Sequence, residues 1–208
     1  MMHCSTIFKV VKEPHCNIFE NISDSDERVV RSLIIDIVLA TDMAKHFDLV
    51  GKFKAKVVSS GVITFDTADQ RNEIMKILIK ASDVGHAAKC KNLHFEWSDL
   101  VCEEFFIQGD MEKKLGLPVS MYCDRKSTNI AKSQIGFIKN IVMPIYESIN
   151  ICFSSMSIKE MCLDQLEINI AAWETTSKTR VKTEINRLPK SFSSKGKKTV
   201  ISNKSIEN

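Results

Sequence analysis

Apolar positions recur at helical spacing along most of the chain. In "SDSDERVVRSLIIDIVLATDMAKHF" (23–47), Val30, Ile34, Ile37, Val38 and Leu39 follow a capping-box-like start in which Ser23 stands three residues before Asp26. "TADQRNEIMKILIKASDV" (67–84) repeats that relation with Thr67 and Gln70, and predicts a helix burying Ile74, Ile77 and Leu78. Between Lys91 and Gly116 the residues Leu93, Trp97, Val101 and Phe105 form one stripe, more in keeping with a core face than a pocket. Gly116 and Pro118 stop that helix. A fourth helix starts near Lys132 and runs through "IGFIKNIVMPIYESINI", with a kink expected at Pro144. The last, "SIKEMCLDQLEINIAAWETTSKTR", opens with a Ser157–Glu160 box. "KAKVVSSGVITFD" and "LPVSMYCDRKSTN" read as irregular connections, and no regular strand alternation is seen. The pattern predicts an all-α fold, with one domain over residues 1–187 and a basic, disordered tail over 188–208.

Composition changes this picture little. The 208 residues are 44% apolar and 26% charged, a globular profile, and the net charge of +3 owes much to lysines after Leu188. Such a solvated tail gives no reason to expect nucleic acid as a partner. Seven cysteines, at 4, 16, 90, 102, 123, 152 and 162, show no C-x-x-C pairing, and no signal-peptide pattern opens the chain. Both favour a reduced, cytoplasmic setting. "LIIDIVLATDM" is too short to span a bilayer and carries Asp36 and Asp42, so membrane association would have to come from other segments.

Candidate chemistry is concentrated in three places. "ILIKASDVGHAAKC" (77–90) takes a carboxylate, Asp83, into an apolar run and follows it with His86. A carboxylate carried inside calls for a cation or hydrogen-bond donors, and Asp and His are ordinary metal ligands, yet D-x-x-H fits a helix-ending aspartate as well. In "AKSQIGFI", Gln134 precedes Phe137 by three residues on one helix face. An amide and a phenyl ring so placed suit a flat heteroaromatic ring, though a surface glutamine beside a core phenylalanine has the same spacing. "CDRKST" (123–128) has the charges for phosphate but no glycine-rich cradle, and a solvated turn is the plainer reading.

The strings "IDIVLATDMAKH", "SSGV", "KASDVGHAAK", "EEFFIQGDMEKKLGLPVSM", "CDRKST" and "KSQIGFI", in that order, resemble the catalytic domain of class I 3′,5′-cyclic-nucleotide phosphodiesterases over roughly residues 3–175. "FKVVKEPHCNIFENIS" and "INIAAWE" resemble family segments too. The resemblance implies a multi-helix bundle holding two divalent metals, zinc and magnesium (or manganese). In the intact enzyme a metal-activated hydroxide opens the cyclic phosphate of cAMP, or of cGMP, to a 5′-monophosphate. Residue by residue, it implies that Asp83 is a zinc ligand, Gln134 reads the purine edge, and Phe137 and Val101 clamp the ring. Thr41, Asp42 and Met43 match residues near the metals. Trp97, Ser98, Phe105, Tyr122 and Ser133 match base-pocket or supporting positions. His86 stands where cAMP-selective branches tend to carry asparagine, which leaves cAMP slightly favoured and dual use close behind. Tyr122 is bulkier than the residues often found at its position.

The family's His/Asp motifs, with the remaining metal ligands and the general-acid histidine, lie upstream of the matched strings, so no residue of this chain matches the catalytic acid. "MMHCSTIF" resembles the tail of a later helix, with His3 a candidate survivor of a histidine pair. The expectation is therefore a fold truncated on its N-terminal side that needs the N-terminal half of the catalytic domain as partner. One carboxylate does not fill a zinc site. The alternative is a catalytically inactive helical fragment acting as a protein-interaction module.

Overall fold

A computed structural model describes residues 2–60 and 65–187, and within them every regular element is helical. The expected tail, 188–208, and residues 61–64 of the "SSGVIT" stretch lie outside the described residues. Eight α-helices run in order: α1 Met2–Val10, α2 Asp24–Leu39, α3 His46–Ser60, α4 Ala68–Asp83, α5 Lys91–Lys114, α6 Ile130–Phe137, α7 Met143–Cys152 and α8 Asp164–Arg187. Short 3₁₀ turns over Met43–Lys45 and Gly85–Ala88 precede α3 and α5, and π turns over Ile138–Val142 and Lys159–Leu163 precede α7 and α8.

Local signals account for several boundaries. Ser23 accepts the Asp26 amide at the start of α2, and Thr67 with Gln70 closes a full reciprocal capping box on α4. Gly116, at φ 68°, takes the left-handed turn beyond α5 that a side chain would resist. Other boundaries depart from expectation. The helix expected over 23–47 ends at Leu39, Asp42 caps the 3₁₀ turn through the Ala44 amide, and α3 then occupies residues 54–60 of a stretch read as irregular. The kink expected at Pro144 is a π turn just before it, which leaves the proline in the first turn of α7, where its missing N–H costs nothing. The last helix opens through the π turn at Lys159–Leu163 rather than a Ser157–Glu160 box.

The core is one cluster: Val50, Phe53 and Val57 of α3, Ile74, Ile77 and Ala81 of α4, Ile138 and Val142 of the π turn, Ile145 and Ile149 of α7, and Leu166, Ile170 and Trp173 of α8. Burying a branched aliphatic side chain of this kind is worth about 1.5–3 kcal/mol. Leu78, expected inside, is 42% exposed. On α5 the inward face is turned one residue from the expected stripe. His94, Ser98, Cys102, Phe106 and Gly109 are buried, whereas Leu93, Trp97 and Phe105 are exposed and Val101 half-buried. Polar residues can line this face because partners on other elements meet them, Trp173 of α8 for His94 and Gln134 of α6 for Ser98.

Candidate functional site

The turn Gly85–Ala88 sits at the centre of the site. Asn169 of α8, fully buried, donates its amide to the carbonyls of Ala87 and Lys89 at 2.9 Å each, fixing the turn against α8. His86 projects from this turn. Its ring stacks on Phe137 with centroids 6.0 Å apart and 14° between planes, and on His94 at 5.4 Å and 23°. Trp173 donates its indole N–H to His94 Nε2 at 2.8 Å. With that nitrogen accepting, neutral His94 holds its proton on Nδ1, 3.4 Å from His86 Nδ1. Burial, with His86 adding a smaller effect, pushes the pKa of His94 down to about 4. Burial also lowers His86, so both rings are neutral near pH 7.

Two hollows meet at this turn and share His86 and Val101. The smaller, about 350 Å³, is lined by Val101, Cys102 and Phe105 of α5, Ser133, Gln134, Gly136 and Phe137 of α6, and Tyr122, Thr128, Phe47, Asn140 and Ile141 at its margins. Its apolar walls and few polar groups are those of a small-molecule site. Gln134 is 7% exposed. Its Oε1 lies 3.2 Å from Ser98 Oγ, and its Nε2 donates toward Cys102 Sγ at 3.8 Å. Ser98 Oγ also lies 2.7 Å from the His94 carbonyl. A hydroxyl has one proton, so Ser98 donates to one of the two oxygens at a time, and that choice bears on how the Gln134 amide is held. Burial raises the Cys102 thiol, which stays protonated beside the amide.

The larger hollow, about 820 Å³, takes in Asp83 at the end of α4, Gly85, Lys89 and Cys90 beyond it, Trp97 of α5, Tyr146 of α7, and Met161, Cys162 and Gln165. Asp83 is exposed to it rather than buried, a correction to the inward carboxylate expected from the apolar run. It stands at the last position of α4, where the helix ends facing the hollow, and the charge carried inside is Lys80 instead, at 2% exposure. Lys80 Nζ donates to the carbonyls of Ala40 at 3.0 Å and Thr41 at 3.4 Å. Desolvation lowers its pKa against the opposing pull of Asp83 and Asp42.

The eight residues Val101, Phe105, Tyr122, Ser133, Gln134, Phe137, Trp97 and His86 thus border one hollow or the other. Thr41, Asp42 and Met43 line neither, though Lys80 ties the carbonyls of Thr41 and of Ala40 before it to the helix that ends in Asp83. His3 is exposed on α1, away from both hollows. Sequence reasoning missed Phe47, Cys102, His94, Trp173 and Lys80. Only Lys80, a charge inside an apolar run, carried a visible signal. As for metal, Asp83 is an exposed carboxylate that borders the larger hollow. Among the described residues no group of three or more His, Cys, Asp or Glu is placed to hold an ion. These residues alone do not fit a two-metal centre.

A family model described as 3′5′-cyclic nucleotide phosphodiesterase matches residues 1–166. The chain belongs to that family. It is 35% identical over 184 residues to the "Dual 3′,5′-cyclic-AMP and -GMP phosphodiesterase beta" of Plasmodium falciparum, covering 88% of this chain and 16% of that protein. It is 38% identical over 151 residues to the Drosophila melanogaster "3′,5′-cyclic-AMP phosphodiesterase, isoform F", covering 70% of this chain and 23% of that one. Among solved structures, LmjPDEB1 in complex with IBMX superposes with TM-score 0.77 at 34% identity, over 86% of this chain and 52% of that one. The phosphodiesterase domain of the Salpingoeca rosetta rhodopsin phosphodiesterase superposes with TM-score 0.80 at 26% identity, over 89% and 56%. The all-α architecture is that of these phosphodiesterase domains. The chain spans a little over half of the solved chains and under a quarter of the curated relatives it matches. Among the described residues no helix is long and apolar enough to cross a membrane.

Proposed function

We propose that this chain supplies the nucleobase-binding half of a 3′,5′-cyclic-nucleotide phosphodiesterase, an enzyme that opens the cyclic phosphodiester to a 5′-monophosphate, with cAMP favoured and cGMP accepted. The observation that carries the reading is the smaller hollow, where an amide, Gln134, shares apolar walls with Phe137 and Val101. An amide offers a donor and an acceptor to a purine edge, and the phenyl ring offers a face for stacking. Tyr122, Phe105 and Ser133 would border the base, and His86 would back Phe137. Trp97 and Asp83 would border the phosphate side from the larger hollow.

Zinc and magnesium (or manganese) are the metals the family reading assigns to the intact site, with Asp83 as one ligand. The rest of the donor set would come from polypeptide other than the described residues. The part of this chain's residues is to bind and orient the base. A second reading, an interaction module without catalysis, draws support from the exposed apolar face of α5.

Titration of the purified chain with a fluorescent ribose-labelled cAMP, in competition with unlabelled cAMP and cGMP, tests the proposal. Saturable binding is expected, weakened about tenfold or more by Gln134→Ala, the factor that corresponds to losing about 1.4 kcal/mol. Binding that Gln134→Ala and Phe137→Ala leave untouched, or no binding by the parent chain, rejects it.

A further inference from the structure

The connection between α5 and α6 brings Tyr122 and Thr128 to the smaller hollow, and it is fastened by residues of α5. Arg125 donates from Nη1 and Nη2 to the two carboxylate oxygens of Glu103, at 2.6 Å each, and from Nε to Asp110 at 2.9 Å. Its guanidinium lies 5.2 Å over the Phe106 ring. Glu112 accepts the Ser120 amide and hydroxyl at 2.7 Å each, and Lys113 donates to Asp124 at 2.7 Å. Among the described hydrogen bonds, every one that joins residues 117–128 to another element ends on α5.

Gly109 completes the seat. A Cβ there would collide with the carbonyl group of Cys123, which is backbone and has no rotamer to yield with, and Cys123 is itself buried. Immediately before it, Tyr122 holds φ 67°, a left-handed conformation that a tyrosine keeps only when its surroundings impose it. Exposed ion pairs seldom hold anything in place. A bidentate arginine shared by two carboxylates and lying over an aromatic ring is the geometry in which they do.

We propose that Arg125 and Gly109 are positioning residues that hold Tyr122 as a fixed side wall of the hollow, and that this wall is a size filter admitting an unsubstituted purine and refusing bulky groups on the base. The hollow of about 350 Å³ lies near the lower end of small-molecule sites, and Tyr122, 53% exposed, stands at its margin, so a group that extends the base toward this side meets the tyrosine. The filter rests on the base-pocket reading above. The fastening does not.

The test combines hydrogen–deuterium exchange over residues 117–128 with competition binding of cAMP and N6-benzyl-cAMP to the 208-residue chain. Arg125→Gln and Gly109→Ala should each speed exchange in the segment by about tenfold and erode the preference for cAMP over the benzyl analogue. Arg125→Lys, which keeps the charge between Glu103 and Asp110 but loses the bidentate fork, should recover part of the protection. Tyr122→Ala should admit the benzyl analogue with the segment still protected, a split that general loosening does not produce. Unchanged exchange in both Arg125→Gln and Gly109→Ala overturns the fastening. Faster exchange with cAMP preference intact, or Tyr122→Ala that still refuses the benzyl group, overturns the filter. If the parent chain binds neither nucleotide, the base-pocket reading and the filter fall together, and the exchange measurements still decide the fastening.

Discussion

Lys80 and His94 are the two residues on which the site's architecture leans hardest. Lys80 enters the interior one turn before Asp83, and its ammonium satisfies carbonyls that the end of α2 leaves open. Lys80→Met keeps the length of the side chain and removes the donor. It should destabilise the fold by about 1–3 kcal/mol, the cost of unsatisfied buried carbonyls, read from urea unfolding. An unchanged urea midpoint would mean that these carbonyls find other partners. His94 makes stability depend on pH. Its pKa, about 4, lies below the ordinary 6.5, so the folded state prefers the neutral ring. The stabilisation is full above about pH 6.5 and drains away as pH falls toward 4, with a ceiling of about 3 kcal/mol. Burial depresses His46 and His86 as well, which adds loss in the same direction. Unfolding midpoints at pH 7.5 and pH 5 should therefore differ, and His94→Asn should shrink the difference. Equal differences in parent and variant would show that His94 does not carry it.

At the scale of elements, the π turn Ile138–Val142 reconciles the two duties of the segment from α6 to α7. Gln134, Phe137 and Ile141 face the hollow, while Ile138 and Val142, both fully buried, face the core. One widened turn shifts the phase between those faces, and π turns often mark functional sites for this reason. Ile138→Ala should cost about 2–5 kcal/mol by leaving a cavity in the core cluster, measured by thermal or urea unfolding. A loss below about 1 kcal/mol would mean that the turn relaxes to fill the space. The π turn leaves no trace in the order of residues, because neither residue type nor spacing distinguishes it from α-helix. The capping box at Thr67 and the glycine at 116 were legible because their chemistry is local. The break after Leu39 was not, since "LIIDIVLATDM" keeps its helical period and the break is held from a distance by Lys80. The face of α5 was misread by one residue for a related cause. His94 and Ser98 look solvent-facing until Trp173, 79 residues beyond His94, and Gln134, 36 beyond Ser98, meet them.

For the whole molecule, the hollow that Gln134 and Phe137 line could be anticipated because family strings surround both residues, whereas the exposure of Asp83 followed from where α4 ends in three dimensions. Leu93, Trp97, Leu100, Ile107 and Met111 of α5 stand between 47% and 63% exposed along one side of a helix of 24 residues. An exposed apolar row of this kind, broken by Glu104 between Leu100 and Ile107, drives association with whatever apolar surface is offered. In a purified sample the available surface is another copy, so the chain should self-associate as its concentration rises, with a sedimentation coefficient that climbs in step. Leu100 and Ile107 line neither hollow, so Leu100→Lys with Ile107→Lys should return the chain to monomer while leaving labelled-cAMP binding as it was. A parent chain that sediments as a monomer at every concentration would show that the stripe is too narrow to pair. A double variant that associates as the parent does would place the sticky surface elsewhere.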